Sequence, residues 1–384
     1  MHLIPYGKQY LDKSDYKAVI RSLKENRITE GKYVKSFEKI LSKKLRVKYG
    51  LSCNSGTSAI YMALVGLGIK KNDTIIVPSI NFLSIINVSN LLNLKIYMAD
   101  VDESTGQMTP KNLLNCIKKN NIKNVHTVVT MYLGGSCENN IEFYKLKKKF
   151  NFNILEDACH ALGTSYNSKK KLYHIGSCKH SDVCCFSFHP LKSITTGEGG
   201  FITTNKKKII DKALLARAHG IMKSSKHWKY DLIFSSLNFR MSDINASLGI
   251  SQIKKLNFFV KKRKEVFKKY KNFFKDFKEK VHLPKYDKKI NSCNHLFIIN
   301  LNLKKIGITK DNIIKKFKNR KIILQYHYIP FFKYPFLKNK IINFNDDFPG
   351  SKKYYKSAIS LPIFVNLRDR DFKRIKKCFR DILV

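Results

Sequence analysis

K-I-Y-M-A-D-V (95–101), V-H-T-V-V-T-M-Y (125–132) and F-N-I-L-E-D (152–157) are three β-rich runs, each ending in polar residues. Helical patterns at 110–119 and 141–149 separate them. Strand, helix, strand at this spacing implies βαβ units, and so an α/β fold with a mainly parallel sheet and helices on both faces. The pattern extends outward in both directions. T-I-I-V-P (74–78) is strand-like and is followed by a helical stretch over 82–92. T-S-A-I-Y-M-A-L-V-G-L (57–67) has apolar residues at helical spacing after an N-S-G turn, and V-C-C-F-S-F (183–188) and G-F-I-T-T (200–204) add further strands. Ligands of such sheets bind outside the carboxyl ends of the strands, so the polar residues just after each strand are where chemistry belongs.

The character changes near residue 242. M-S-D-I-N-A-S-L-G-I-S-Q-I-K-K-L reads as an amphipathic helix with Ser242 or Asp243 near its N-cap, continuing through K-K-R-K-E-V-F-K-K-Y as one long or kinked helix. After Pro284 come a strand candidate, H-L-F-I-I-N-L (295–301), a helix near 310–319, I-I-L-Q-Y-H-Y (322–328) and a terminal helix around 369–382. The expected organisation is a large domain over 1–250 and a smaller α+β domain over 251–384, sizes that each support a core.

Composition narrows the function classes. The chain has 384 residues, 74 Lys+Arg against 28 Asp+Glu, and a formal charge of +46. Such an excess points first to a polyanion, but 11 of the 74 are Arg, the residue that bidentate phosphate and base contacts prefer. The lysines are scattered in short clusters along the whole chain, alongside abundant Ile, Asn, Phe and Tyr, which is the signature of coding bias; neither a nucleic-acid nor a membrane partner is expected. No signal-peptide core and no apolar run of about 18 residues is present. Nine cysteines without zinc-finger spacing, two of them adjacent in an apolar run, fit a reducing cytosol and neither a disulfide framework nor a metal site.

Four segments carry chemistry. In S-F-H-P-L-K-S-I-T-T-G-E-G-G (187–200), Lys192 has no Lys or Arg within two residues and lies between apolar strands. Burial there depresses a lysine's pKa and leaves a neutral amine able to form a Schiff base. I-L-E-D-A-C-H-A-L-G (154–163) puts Asp157 at the carboxyl end of a strand, where a carboxylate can pair with a ligand cation or cap the next turn. N-S-G-T-S-A (54–59) opens a helix, and helix N-termini bind anions. S-L-N-F-R-M-S-D (236–243) sets Asn238 and Arg240 just before a helix.

In this order and spacing the four segments resemble the sugar-nucleotide aminotransferase family of pyridoxal-phosphate enzymes, the DegT type, which has the aspartate-aminotransferase fold (fold type I). The likeness runs from about Gly31 to the C-terminus and includes G-K-Y-V-K-S-F-E, A-R-A-H-G-I-M (216–222), N-H-L-F, Q-Y-H-Y-I-P and S-L-P. It implies pyridoxal 5′-phosphate as cofactor and L-glutamate and a nucleotide sugar as substrates. Lys192 would then hold the cofactor covalently and move the proton between substrate carbon and cofactor. Asp157 would keep the pyridine nitrogen protonated, making the ring an electron sink. By the same resemblance His160 lies near the ring and its phenolic oxygen, Phe82 stacks on the ring, and Gly56, Thr57 and Ser187 bind the phosphate. Asn238 would reach the phosphate from a neighbouring subunit, making the active unit a homodimer. Glu198 beside the lysine loop is explained equally by capping.

For the sugar nucleotide, His327 with Tyr328 and Asn294 with His295 are the candidates from the smaller domain, each also an ordinary strand-end polar residue. T-M-Y-L-G-G-S (130–136) departs from the family's commoner hydrophobic-H-x-Y-G turn over the substrate site. Within the family, L-N-F-R-M-S-D-I-N-A-S-L-G-I-S-Q-I-K-K, S-C-N-H-L-F and I-L-Q-Y-H-Y-I-P-F-F-K-Y are most like members that aminate C4 of a UDP-linked 4-keto-6-deoxy-N-acetyl hexose. Amination at C3, or a GDP- or dTDP-linked sugar, are the alternatives. Family members without transaminase activity replace the Schiff-base lysine, which this chain keeps.

Overall fold

The computed structural model describes residues 2–226 and 228–384. A seven-stranded sheet forms its centre, from β1 (Tyr49–Cys53), β2 (Thr74–Pro78), β3 (Lys95–Ala99), β4 (Thr127–Met131) and β5 (Asn153–Asp157). A hairpin, β6 (Ser165–Ser168) and β7 (Lys171–His174), lies outside it, and β8 (Val183–Ser187) and β9 (Gly200–Thr204) complete it. The spatial order is β1-β9-β8-β5-β4-β2-β3. β9 pairs antiparallel with both neighbours and every other pairing is parallel, so β9 is the one reversed strand of this sheet.

The parallel strands read as continuous apolar runs because both faces are covered. Neighbouring Cys184 and Cys185 show this. Both are fully buried, and strand alternation sends Cys185 into the core with Ala59, Ile60 and Leu64, and Cys184 into the one with Phe37, Phe186 and Phe201. The helices in chain order are α1 (Lys13–Leu23), α2 (Lys32–Leu45), α3 (Gly56–Gly66), α4 (Ser84–Leu91), α5 (Pro110–Lys119), α6 (Asn140–Phe150) and α7 (Lys207–Arg217). The predicted helix beginning near 242 is two helices, α8 (Asp243–Lys254) and α9 (Leu256–Phe273), meeting at Lys255. Ser242 caps α8 by accepting from Asn245 N–H at 3.2 Å. Asp243 caps a different helix: its carboxylate accepts the N–H groups of Gly31, Tyr33 and Val34 at the start of α2.

From α9 onward the chain builds a second core on an antiparallel sheet of Val281–His282, Phe297–Leu301 and Ala358–Leu361. Tyr270, Phe297, Phe317, Ile375 and Phe379 fill it. The N-terminus joins this core too: Ile4 is buried there and donates to Lys321 O at 2.8 Å. I-I-L-Q-Y-H-Y forms no continuous strand. It is held by single bridges, Ile322 to Ile4 and Gln325 to Ser360, which leaves residues 326–329 as a loop over the sheet edge. Among the described residues no helix is long and apolar enough to cross a membrane.

Candidate active site

Because β1, β2, β4, β5 and β8 run the same way, Cys53, Pro78, Met131, Asp157 and Ser187 end at one edge of the sheet, where β9 begins at Gly200. A cavity of about 540 Å³ opens there, closed on the far side by Tyr6 and the 325–329 loop. Of the residues singled out in the sequence, Gly56, Thr57, Phe82, Asp157, His160, Ser187, Lys192, Glu198, His295, His327 and Tyr328 line it.

Asp157 is 3% exposed; its Oδ2 accepts from Asn81 Nδ2 at 3.1 Å and its Oδ1 from Cys159 N–H at 3.3 Å. Lys192 sits on the loop after β8, a loop folded back on itself: Phe188 N–H donates to Gly199 O, Thr196 N–H to Phe188 O, and Lys192 N–H to His189 O at 2.9 Å. Its side chain reaches the cavity, and desolvation lowers its pKa against the opposing pull of Cys159 and Asp157. A larger fraction of neutral amine than in a solvated lysine follows.

At the other end, α3 begins with Ser55 as N-cap, accepting from Ser58 N–H at 3.1 Å. Gly56 lies against Ser187 so closely that a Cβ on it would sit 2.8 Å from Ser187 Cβ. A small residue is required, and the first N–H groups of an 11-residue helix are left facing the cavity with the Thr57 and Ser187 hydroxyls. Thr57 Oγ1 is 2.7 Å from Ser84 Oγ, which ties the turn to α4. Phe82, 55% exposed and bordering the cavity, stands 5.7 Å from the Tyr328 ring. A planar cation-bearing ring with a phosphate tail fits this set: a carboxylate, a helix N-terminus, an aromatic ring and an amine around one cavity.

Facing the strand ends is a cluster of imidazoles, His160 from the loop after β5 with His295 and His327. His160 lies 4.4 Å from His295 between ring centroids and 6.0 Å from His327. Desolvation, reinforced by Lys192, holds His160 and His295 well below the ordinary histidine pKa and takes His327 down to about 3. All three are therefore neutral at pH 7. Gly134 N–H approaches His160 Nδ1 at 3.4 Å, which makes that nitrogen the acceptor and puts the ring proton on Nε2, 2.9 Å from the Tyr328 hydroxyl. His327 Nδ1 is 2.8 Å from Ser360 Oγ, and the Tyr354 hydroxyl donates to His327 O at 2.9 Å.

Two predicted residues stand apart from this cavity. Asn238 is exposed and not among the lining residues; its Oδ1 accepts from Arg240 N–H at 3.2 Å, and its backbone O accepts from Asn54 Nδ2 beside the Gly56 turn. Asn294 turns its Nδ2 to Ser292 O at 3.3 Å, and its neighbour His295 is the residue that lines the cavity. The T-M-Y-L-G-G-S loop contributes only Met131 to the lining, because Tyr132 is buried and bonded to Glu156. Asn81, Tyr6 and Ser84 were not signalled by any motif. Asn81 meets Asp157 from 76 residues away, a contact that only the strand order makes. Among the described residues no group of three His, Cys, Asp or Glu side chains is arranged to hold a metal.

A mainly parallel sheet with one reversed strand, a half-sequestered lysine after one strand and a carboxylate ending the next define a pyridoxal-phosphate aminotransferase. The profile of the DegT/DnrJ/EryC1/StrS aminotransferase family matches residues 9–380, and the chain belongs to that family. It is 32% identical over 383 residues to a UDP-4-amino-4,6-dideoxy-N-acetyl-beta-L-altrosamine transaminase of Campylobacter jejuni, covering 99% of this chain and 98% of the relative. It is 28% identical to the spore coat polysaccharide biosynthesis protein SpsC of Bacillus subtilis, covering 100% of this chain and 97% of the relative. Among solved structures, Helicobacter pylori PseC, an aminotransferase involved in the biosynthesis of pseudaminic acid, superposes with a TM-score of 0.89 at 28% identity, covering 100% of this chain and 99% of that one.

Proposed function

We propose that the protein transfers the amino group of L-glutamate to C4 of a UDP-linked 4-keto-6-deoxy-N-acetyl hexose, giving UDP-4-amino-4,6-dideoxy-N-acetyl-beta-L-altrosamine for pseudaminic acid synthesis. The observation that carries the reading is Lys192 and Asp157 lining one cavity at the strand ends. The full-length likeness to the Campylobacter jejuni transaminase supports the choice of sugar.

In this reading the N–H groups at Gly56 and Thr57, with the Thr57 and Ser187 hydroxyls, hold the cofactor phosphate, and Phe82 covers one face of the ring. The Asp157 carboxylate, itself oriented by Asn81, keeps the pyridine nitrogen protonated. The bound cofactor supplies an electron-withdrawing ring for the carbon that bears the transferred nitrogen. Lys192, poised as a neutral amine by desolvation, holds the cofactor and carries the proton on and off that carbon through Nζ. His160 donates through Nε2 to Tyr328, which leaves the Tyr328 hydroxyl proton for an oxygen of the bound ligand. His327 and His295 border the space left for the sugar, and Asn294 acts behind them through its backbone.

The active unit is a homodimer in this reading. Tyr230, Leu232, Leu237 and Asn238 are exposed, and in this reading the Asn238 side chain, its Oδ1 held by Arg240 N–H, turns its Nδ2 toward a partner's cavity. Nine free cysteines agree with a cytoplasmic setting. Supplying glutamate with UDP-, GDP- and dTDP-linked 4-keto sugars and reading aminated product by mass spectrometry tests the substrate. Turnover of the UDP-linked N-acetyl sugar supports the reading, and activity on GDP- or dTDP-linked sugars alone overturns it.

A further inference from the structure

Behind Lys192, away from the main cavity, is a narrow cleft lined by Tyr10, Ser193, Gln252, Phe259 and Arg263. Arg263, on α9, is 3% exposed. Its Nη1 donates to His295 O and to Ile363 O, each at 3.0 Å, and its Nε has no partner. Among the described residues no carboxylate pairs with it. Cys293, the nearby group that would favour its charge, is kept a neutral thiol by burial.

A buried cation without a counter-ion is strongly unfavourable, and where only volume is needed an apolar side chain of similar size serves better. Two backbone carbonyls could equally be met by an amide. The charge itself is the feature that calls for a reason, and its position supplies one: the carbonyl it holds belongs to His295, whose ring faces His160 at 4.4 Å. We propose that Arg263 is a positioning residue of the aminotransfer site: it braces the His295 segment and the Ile363 loop behind Lys192 and sets a fixed positive charge beside the His160–His295 pair, adding to what desolvation and Lys192 already do there.

An uncharged pair matters because His160 must leave Nδ1 free for Gly134 N–H to keep its Nε2 proton on Tyr328. The groups around His160 are Asp157 and Cys159 from its own loop, Lys192 from the loop after β8, Arg263 from α9, and His295, His327 and Tyr328 from the facing loops. Lys192, His327 and Arg263 act on His295, with Cys293 two residues before it. Every cation in these sets opposes protonation of the imidazoles. Asp157 alone among them favours it, and Asn81 and Cys159 N–H already engage its oxygens.

The proposal rests on the cavity being the aminotransfer site. Its test uses the holoenzyme with Arg263→Lys, which keeps the charge, and Arg263→Gln, which keeps donors without it. The pH profile of kcat/KM for the glutamate half-reaction and histidine 15N NMR are recorded for each. Removing the cation makes ring protonation easier, so in R263Q the acid limb and the ring titrations move up by about one pH unit, while R263K keeps the wild-type midpoint. Superposed profiles in all three proteins, with only melting temperature lowered, overturn the proposal. Should R263Q not fold, titration of the His160 or His295 ring near pH 6.5 in the wild-type protein or R263K has the same force. A wild-type protein without a glutamate half-reaction defeats the functional reading instead, and the NMR comparison still decides the role of Arg263.

Discussion

The two walls of the cavity are built in different ways. One wall consists of strand ends and one helix N-terminus: Asp157 closes β5, Ser187 closes β8, and Gly56 opens α3. Asp157 and Ser187 are fixed by the sheet's hydrogen-bond register and Gly56 by the Ser55 cap and its close approach to Ser187, so each position follows from its place in a short local motif. The opposite wall consists of loops. His295 precedes a strand by two residues, and His327 and Tyr328 lie on a segment attached by single bridges. Rigid strand ends suit a cofactor that never changes, and loops suit the substrate, where relatives differ.

Mutations on the two walls should separate accordingly. The largest effect is expected from Lys192→Ala, which removes the amine proposed to carry the proton: the glutamate half-reaction should fall by about 10³-fold or more, read from single-turnover absorbance changes. Loss below tenfold would detach the strand-end wall from the chemistry. Asp157→Asn removes a charge-assisted interaction worth about 1.5–3 kcal/mol, so kcat should drop by about ten- to hundredfold with weaker cofactor retention after dialysis. Tyr328→Phe deletes one hydroxyl on the other wall. It should raise KM for the sugar nucleotide about fivefold while leaving KM for cofactor reloading unchanged, and an equal effect on both would erase the contrast.

A smaller, graded effect concerns pH. His327, His160 and His295 have folded pKa values below the unfolded 6.5. Above pH 6.5 both states are neutral and these groups add nothing. As pH falls below 6.5 the unfolded chain takes up protons that the folded protein refuses, so stability declines, for His327 down to about pH 3. Each such group contributes at most about 1.4 kcal/mol per pH unit. Urea melts from pH 7 to 4.5 should show this slope, and His327→Gln should flatten it; an unchanged slope would place that ring's environment elsewhere.

Legibility in the sequence followed the same division. The β-rich runs that decide the parallel sheet are apolar because both faces are buried, and that leaves a mark within five residues. Lys192 stood out by its lack of basic neighbours. Arg263 was concealed for the opposite reason: K-K-R-K reads as a solvated cluster, yet its third residue is buried while Lys261 and Lys264 are exposed. The choice between Asn294 and His295 could not be read either, since adjacent residues on a non-helical segment face opposite ways and only tertiary packing selects one. Asp243 was assigned to its own helix and caps another more than 200 residues away in sequence. Of the basic residues behind the +46 charge, the most conspicuous number in the composition, Lys192 lines the cavity and Arg263 is buried behind it.

The most direct test of the central claim is a single-turnover experiment on purified protein loaded with pyridoxal 5′-phosphate. L-glutamate is added without any sugar, and the cofactor absorbance is followed alongside release of 2-oxoglutarate. The account predicts one equivalent of 2-oxoglutarate per cavity with conversion of the cofactor to its amino form, and neither in K192A. Release of 2-oxoglutarate by K192A at the wild-type rate, or no cofactor conversion in the wild-type protein, would contradict it.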